Sequence, residues 1–368
     1  MDIPQAAAGF CQRRGLLRSG SSMKKSPSDI ATQEARLSEK DRNSRSIRVA
    51  IAQLSPVYYN KAASLEKALD LIRDAAEQAA ELIVFGETWL PGYPVWLDVC
   101  PGAALWNHEP TKKVFAELRE NSISVAGPEV SRLADAARDH KMGIVIGINE
   151  RVDHGSAQRT LYNSLLIFTP DGRLANHHPK LMPTFSEKLV WGLGDGSGLA
   201  SVQVGPAHIG GLICWEHWMP FARMAMHQAG EDIHIALWPT VNEVAQLASR
   251  HYAFEGRCFV LAVGLMMPTS DIPGSLAHSV DHRWVERGGS AVIGPDSNYL
   301  VAPVYDREEL IVADLDLSLI DRESMALDVT GHYARPDIFS FSHSPIGRHQ
   351  LETGTNQGTL IALLERGS

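Results

Sequence analysis

His208-Ile209-Gly210-Gly211-Leu212-Ile213-Cys214-Trp215-Glu216-His217-Trp218-Met219-Pro220 reads as a buried strand that breaks at a cysteine and then gives way to a helix. Ile209, Leu212 and Ile213 form a short apolar run, and the two glycines permit close packing. Residues 219–228 then show helical spacing, with Pro220 near the first turn, where its missing N–H costs least. A cysteine at such a break is held at a sheet edge beside the N–H groups of a helix start, and both features favour an exposed thiolate. Cys214 is therefore a candidate nucleophile. A lone cysteine after an apolar run is more often an inert core residue, so the reading needs partners elsewhere in the chain.

Two other stretches supply them. Ile83-Val84-Phe85-Gly86-Glu87-Thr88-Trp89-Leu90-Pro91-Gly92-Tyr93-Pro94 puts a carboxylate just past a wholly apolar strand. His178-Pro179-Lys180-Leu181-Met182-Pro183-Thr184-Phe185 puts an ammonium in a loop punctuated by proline. Taken alone, Glu87 reads equally well as a cap or surface carboxylate and Lys180 as a solvated charge. Together with Cys214 they make a base, a cation and a nucleophile at strand ends.

These three blocks, in this order, resemble the signature motifs of the nitrilase superfamily of carbon–nitrogen hydrolases, and the likeness runs over residues 47–341. Glu-Thr-Trp-Leu-Pro-Gly-Tyr-Pro, Lys-Leu-Met-Pro-Thr-Phe and Cys-Trp-Glu-His are closer to the nitrilase branch than to the amidases. The resemblance implies that Cys214 attacks a nitrile carbon to form a thioimidate. Glu87 takes the thiol proton and later activates water, and Lys180 stabilises the tetrahedral species. Ammonia leaves, and a second water releases a carboxylic acid. Glu187 matches the family's second glutamate near the lysine, and a surface carboxylate is the plain alternative. Tyr93, Trp191 and Pro239 fall where nitrilases line their pocket, with Trp89, Trp96, Trp215 and Trp218 adding aromatic bulk for an aliphatic or arylaliphatic nitrile. Glu216 is open to two readings, substrate contact or acceptor of backbone N–H groups at the turn. An amidase or cyanide-degrading relative with the same triad, and a catalytically silent scaffold, are the competing functions. The family also implies dimers, extending in nitrilases to spirals. Residues 219–228 and 242–257 would pair through Phe221, Met224, Ala225, Val244, Leu247 and Ala248.

Bulk properties narrow the field. The 368 residues are 44% hydrophobic and 21% charged, ordinary for a globular chain, and the net charge of -9 offers no basic face for nucleic acid. The four cysteines are far apart without a CxxC pair, so neither disulfide framework nor zinc knuckle is suggested, and a reducing, cytoplasmic compartment fits. The fifteen histidines show no metal-ligand spacing, and His177 and His178, being adjacent, point to opposite faces of a strand. The alternating glycines at 192, 194, 196 and 198 match no nucleotide-binding pattern, so no cofactor and no metal are expected.

Along the chain, residues 1–45 are polar without a periodic apolar face and read as a disordered leader with no signal-peptide core. Residues 47–53, a helix over 61–80 and the strand 82–85 make a β-α-β unit with its chemistry at the strands' carboxyl ends. Residues 101–121 interrupt the alternation and are expected to wall part of the pocket. A helix over 128–140, a strand over 143–149 and a hairpin of 162–169 with 173–178 through Pro170-Asp171-Gly172 lead to Lys180. Strands 201–204, 208–213, 233–238, 259–265, 290–293 and 311–316, with the helix 242–257, complete one α/β domain over residues 46–341, an α-β-β-α sandwich. Residues 342–368 are expected to be mobile or to dock on a neighbouring subunit, with a helix candidate at 359–364.

Overall fold

The computed structural model describes residues 45–155 and 157–344. The chain begins with β1 (Ser46–Gln53), α1 (Lys61–Glu77) and β2 (Leu82–Phe85), the two strands running parallel. Helix α1 buries Leu65, Ala68, Leu71, Ile72 and Ala75, the stripe its spacing dictates, and Asn60 caps its first turn by accepting from the Ala63 N–H. It stops short of the expected residue 80 because Ala79 turns to a φ of 60°. Next come α2 (Trp96–Val99), α3 (Glu109–Asn121), α4 (Pro128–His140), β3 (Gly143–Arg151), β4 (Leu161–Phe168) and β5 (Leu174–Pro179). The second half supplies β6 (Val202–Val204), β7 (Ala207–Ile213), α5 (Pro220–Gln228), β8 (Ile233–Trp238), α6 (Glu243–Gly256) and β9 (Phe259–Gly264). It ends with β10 (Met266–Pro268), β11 (Trp284–Ile293), β12 (Tyr299–Tyr305), β13 (Glu309–Asp316) and α7 (Ser318–Ser324).

Two sheets result. One has six strands in the order β13-β1-β2-β3-β4-β5, and the other has seven, β10-β11-β9-β8-β7-β6 with β12 paired to β11. Strand β13 returns to pair with β1 from Ser46 opposite Asp316 to Gln53 opposite Glu309, so the last strand completes the first sheet. The period of two sorts each strand between cores: Leu82 and Val84 join Ile209, Leu212 and Ile235 between the sheets. Ile83 and Phe85 pack with Ile72 and Leu133 under α1 and α4. Buried on both faces, β2 is apolar throughout, as parallel strands covered on both sides are. Helices α5 and α6 contribute Ala222, Ala225, Ala245 and Ala248 to the other sheet's core, which makes the four layers α-β-β-α.

Some elements escaped the pattern. Strand β11 begins six residues before the apolar run at 290–293, a start hidden in the sequence because Glu286, Arg287, Gly288 and Gly289 break the alternation, both glycines taking positive φ. Strands β10 and β12 and helix α7 were not anticipated. Of the leader expected over residues 1–45 only Arg45 is described, and the tail expected over 342–368 is described only to 344. The helix candidate at 359–364 lies outside the described residues. Among the described residues no helix is long and apolar enough to cross a membrane.

Candidate active site

Three strand ends converge. After β2 the chain turns sharply, with Thr88 at a φ of 46° and Glu87 wholly buried. The turn lies flat on β3 at Gly147, where a Cβ would come within 2.4 Å of Gly86 O and Thr88 N, so no other residue fits there without displacing Glu87. Beyond β5, Lys180 is 1% exposed, and its backbone N–H donates to Asn163 O at 2.7 Å. The glycine loop covers it: Gly194 N–H donates to Lys180 O at 2.8 Å, and a Cβ at Gly194 would meet Pro179 O at 2.1 Å. After β7, Cys214 occupies the left-handed region at a φ of 54°, opening a short 3-10 turn, Cys214–Trp218, that separates it from α5. A non-glycine residue held in that region costs free energy that the surroundings must offset, a pattern common at functional sites.

Glu216 clamps two of these ends together. Its carboxylate accepts from the Ile213 N–H at 2.7 Å, the Leu181 N–H at 2.6 Å and His178 Nε2 at 3.0 Å. It serves the backbone, joining the lysine loop to the cysteine turn. His177, on the opposite face of β5, pairs with Glu150 at 2.7 Å.

At the centre the Lys180 ammonium donates to Glu87 Oε1 at 3.1 Å and to Glu187 Oε2 at 2.8 Å. A carboxylate oxygen of each glutamate and the Cys214 sulfur all lie within 4.8 Å of one another. That spacing would suit a metal ion, but the Lys180 ammonium already stands between the carboxylates as their cation. Asn163 Nδ2 donates to Glu87 Oε1 at 2.7 Å, while Glu87 Oε2 is buried and takes no hydrogen bond among the described residues. Glu187 is fixed by the Tyr93 hydroxyl at 2.9 Å and the Thr184 N–H at 2.7 Å.

Burial governs the protonation states. It drives the Glu87 carboxyl up to about 7, against the pull of the Lys180 ammonium and with the push of Glu187. Burial alone would lower the Lys180 ammonium, but Glu87 and Glu187 outweigh it and raise it. Cys214 is raised well above an ordinary thiol, first by burial, with Lys180 and the Trp215 backbone N–H opposing. The exposed thiolate expected from the sequence is thus corrected: Cys214 is 5% exposed and rests as a thiol beside a carboxylate that can take its proton.

Cys214 forms the floor of a cavity of about 430 Å³ walled by Tyr93, Trp215, Trp218, Trp238, Pro239 and Val244, with Asp98 and Glu286 also on its surface. Trp191 is absent from these walls. It lies behind Tyr93, ring centroids 5.7 Å apart, and its indole donates to Asn149 Oδ1 at 2.9 Å. Residues 101–121 do not reach the cavity either, contrary to expectation. Several of them, with Trp96 and Leu189, border a separate groove.

Residues 48–322 match the carbon–nitrogen hydrolase family. The chain belongs to that family. Its relatives place it in the nitrilase branch. It is 39% identical over 297 residues to an aliphatic nitrilase of Sinorhizobium fredii (strain HH103), covering 79% of this chain and 94% of that protein. It is 36% identical over 331 residues to an aliphatic nitrilase of Rhodococcus rhodochrous, covering 86% and 87%. The crystal structure of a carbon–nitrogen hydrolase from Helicobacter pylori G27 shares the fold at a TM-score of 0.62 and 19% identity, over 80% of this chain and 97% of that one. In this carbon–nitrogen hydrolase, sequence reasoning missed Asn163 and Asn149. Both are buried amides at the polar ends of apolar strands, Asn149 after the run 144–148 and Asn163 before the run 165–168, and a polar residue at an inward position is the signal that marks them.

Proposed function

We propose that this carbon–nitrogen hydrolase is a nitrilase, converting an organic nitrile and two waters to a carboxylic acid and ammonia. The observation that carries the reading is the Lys180 ammonium bridging Glu87 and Glu187 at 3.1 and 2.8 Å with the Cys214 sulfur within 4.8 Å of both carboxylates. Glu87, poised near neutrality, takes the Cys214 proton as sulfur bonds to the nitrile carbon. The nitrogen acquires a proton, giving a thioimidate, while Lys180 and the Trp215 N–H stabilise the charge that develops. Water activated by Glu87 adds, the carbon–nitrogen bond breaks and ammonia departs. A second water then cleaves the thioester and restores the thiol. Glu187 and Tyr93 hold Lys180 in place. The names of the curated relatives favour nitriles over amides, which the same triad could also serve.

The test is a panel of nitriles beside the matching amides, assayed from pH 5 to 9. Acid and ammonia are expected from the nitriles, and products from amides alone would remove the nitrile reading. Because Glu87 must start unprotonated, kcat/KM is expected to fall about tenfold per unit as pH drops below about 7. An aliphatic or arylaliphatic group suits the tryptophan walls. A nitrile carrying a carboxylate is expected to be the poorest of the panel, since Asp98 faces the same cavity.

Self-association is supported by apolar side chains left in solvent: Phe221, Val244 and Leu247 are 76%, 52% and 62% exposed. Ala225 and Ala248 belong instead to the chain's own core. Light scattering should report a dimer or larger, and a monomer at working concentration defeats the idea. A reducing, cytoplasmic location is supported by Cys100, Cys214 and Cys258 being free, and recovery from an oxidising compartment would overturn it.

A further inference from the structure

Behind the cysteine turn runs a buried polar chain that the triad does not use. His217 Nδ1 lies 2.7 Å from Cys214 O, and His217 Nε2 lies 2.9 Å from His234 Nε2. His234 Nδ1 lies 2.9 Å from Glu231 Oε1, and the Tyr252 hydroxyl donates to Glu231 Oε2 at 2.6 Å. The side chains are locked in place: His217 stacks on Trp238 at 4.8 Å between centroids, and His234 on Tyr252 at 3.6 Å.

With both imidazoles held neutral by burial, the direction of every proton follows from one end. A carbonyl oxygen only accepts, so His217 must carry its proton on Nδ1 and offer a lone pair at Nε2. His234 must then donate from Nε2, which leaves its Nδ1 as an acceptor. The group facing Nδ1 must therefore donate, and that group is the Glu231 carboxyl. We propose that Glu231 is a positioning residue that works as a protonated acid, fixing both histidine tautomers and through them the Cys214 carbonyl and the strained turn that aims the nucleophile.

The surroundings agree. Burial pushes Glu231 up to about 8, against the Tyr252 hydrogen bond and the charge of His227. Burial likewise holds His217 down to about 3, aided by His234 and Arg223 and opposed by the Cys214 carbonyl and Glu216. It holds His234 down as well, with His227 and His178 in the same sense and Glu216 opposed. Strand β7 presents only backbone to the acid, for a Cβ at Gly210 would lie 2.2 Å from Glu231 Oε1. Helix α6 adds Tyr252, which itself feels the charge of Glu255, and Cys258, just before β9, lies within the field of Glu231.

Losing the Glu231 proton reverses the chain. The carboxylate would draw an N–H from His234 Nδ1, and His217 would donate from Nε2. The bare Nδ1 would then face the Cys214 carbonyl at 2.7 Å, lone pair against lone pair. Activity should therefore fall on the alkaline side as pH rises through the folded-state value near 8.

The proposal rests on Cys214 being the nucleophile, so it is tested in two ways. Glu231→Gln keeps the required pattern, an amide N–H to His234 and a carbonyl for Tyr252, but cannot titrate. Its kcat/KM near pH 7 should stay within about threefold of the parent, and the alkaline fall should vanish or move up by at least one pH unit. Tyr252→Phe, which removes a bond favouring the carboxylate, should move the same limb upward. An alkaline limb unchanged in both variants overturns the proposal. Infrared titration of the resting protein reads the acid directly. A protonated-carboxyl band present at pH 7 and absent in Glu231→Gln supports the proposal whether or not Cys214 proves catalytic. Parent and variant bands that do not differ defeat it.

Discussion

Cys214→Ala is expected to fold as the parent does and to turn over no nitrile that the parent accepts. The sulfur forms the covalent bond in the proposed reaction, and neither Glu87 nor Lys180 can substitute for it as a nucleophile in that place. Removing a nucleophile that acts as one unit with its base costs the whole covalent route, so kcat should fall by at least about 10⁴-fold. The structural cost is small by comparison. Alanine takes up the same φ of 54° as cysteine, and a single buried atom beside a cavity is worth on the order of 1 kcal/mol. The variant should still bind the nitrile, because the walls of Tyr93, Trp218, Trp238 and Pro239 are untouched. Calorimetric binding with turnover abolished separates the two effects. Retention of turnover within tenfold of the parent would take Cys214 out of the chemistry.

How much of this was legible in the sequence depends on where each signal is local. The apolar run of β2 and the helical stripe of α1 are local patterns, and both elements are where the periodicity puts them. The blocks around Glu87, Lys180 and Cys214 were legible because each couples a short strand to one unusual residue. The role of Glu216 was half legible. Its place two residues after the cysteine suggested a backbone acceptor, but its second target, the Leu181 N–H, lies 35 residues away in sequence. The thiol's state could not be read, since it depends on burial created by the other sheet and helix layers. Trp191 was misplaced for a similar reason. A tryptophan near the site looks like a wall, and only the fold shows Tyr93 standing in front of it. The His217–His234–Glu231–Tyr252 chain joins the cysteine turn, β8 and its entry, and α6, so no single stretch announces it.

Lys180→Met is expected to remove activity and to destabilise the protein as well, unlike the cysteine variant. The ammonium is wholly buried between two buried carboxylates, which donate nothing to each other and rely on it for compensation. Without it Glu87 and Glu187 face each other, with carboxylate oxygens within the 4.8 Å cluster, and at least one must take up a proton to stay buried. Breaking a buried ionic group by deleting one partner costs about 3–5 kcal/mol, since the remaining charge is left uncompensated. For a chain of this size that lowers Tm by on the order of 10 °C. Activity should fall by at least about 10³-fold, because the cation that meets the developing charge is gone and a protonated Glu87 cannot accept the thiol proton. The double variant Lys180→Met with Glu187→Gln separates the two losses. Removing the second carboxylate should restore about 1–3 kcal/mol through the coupling between the pair, while turnover stays absent. A Lys180→Met protein that melts with the parent would mean that Glu87 and Glu187 already share a proton in the resting site. The ammonium would then be a catalytic group with no part in holding the fold.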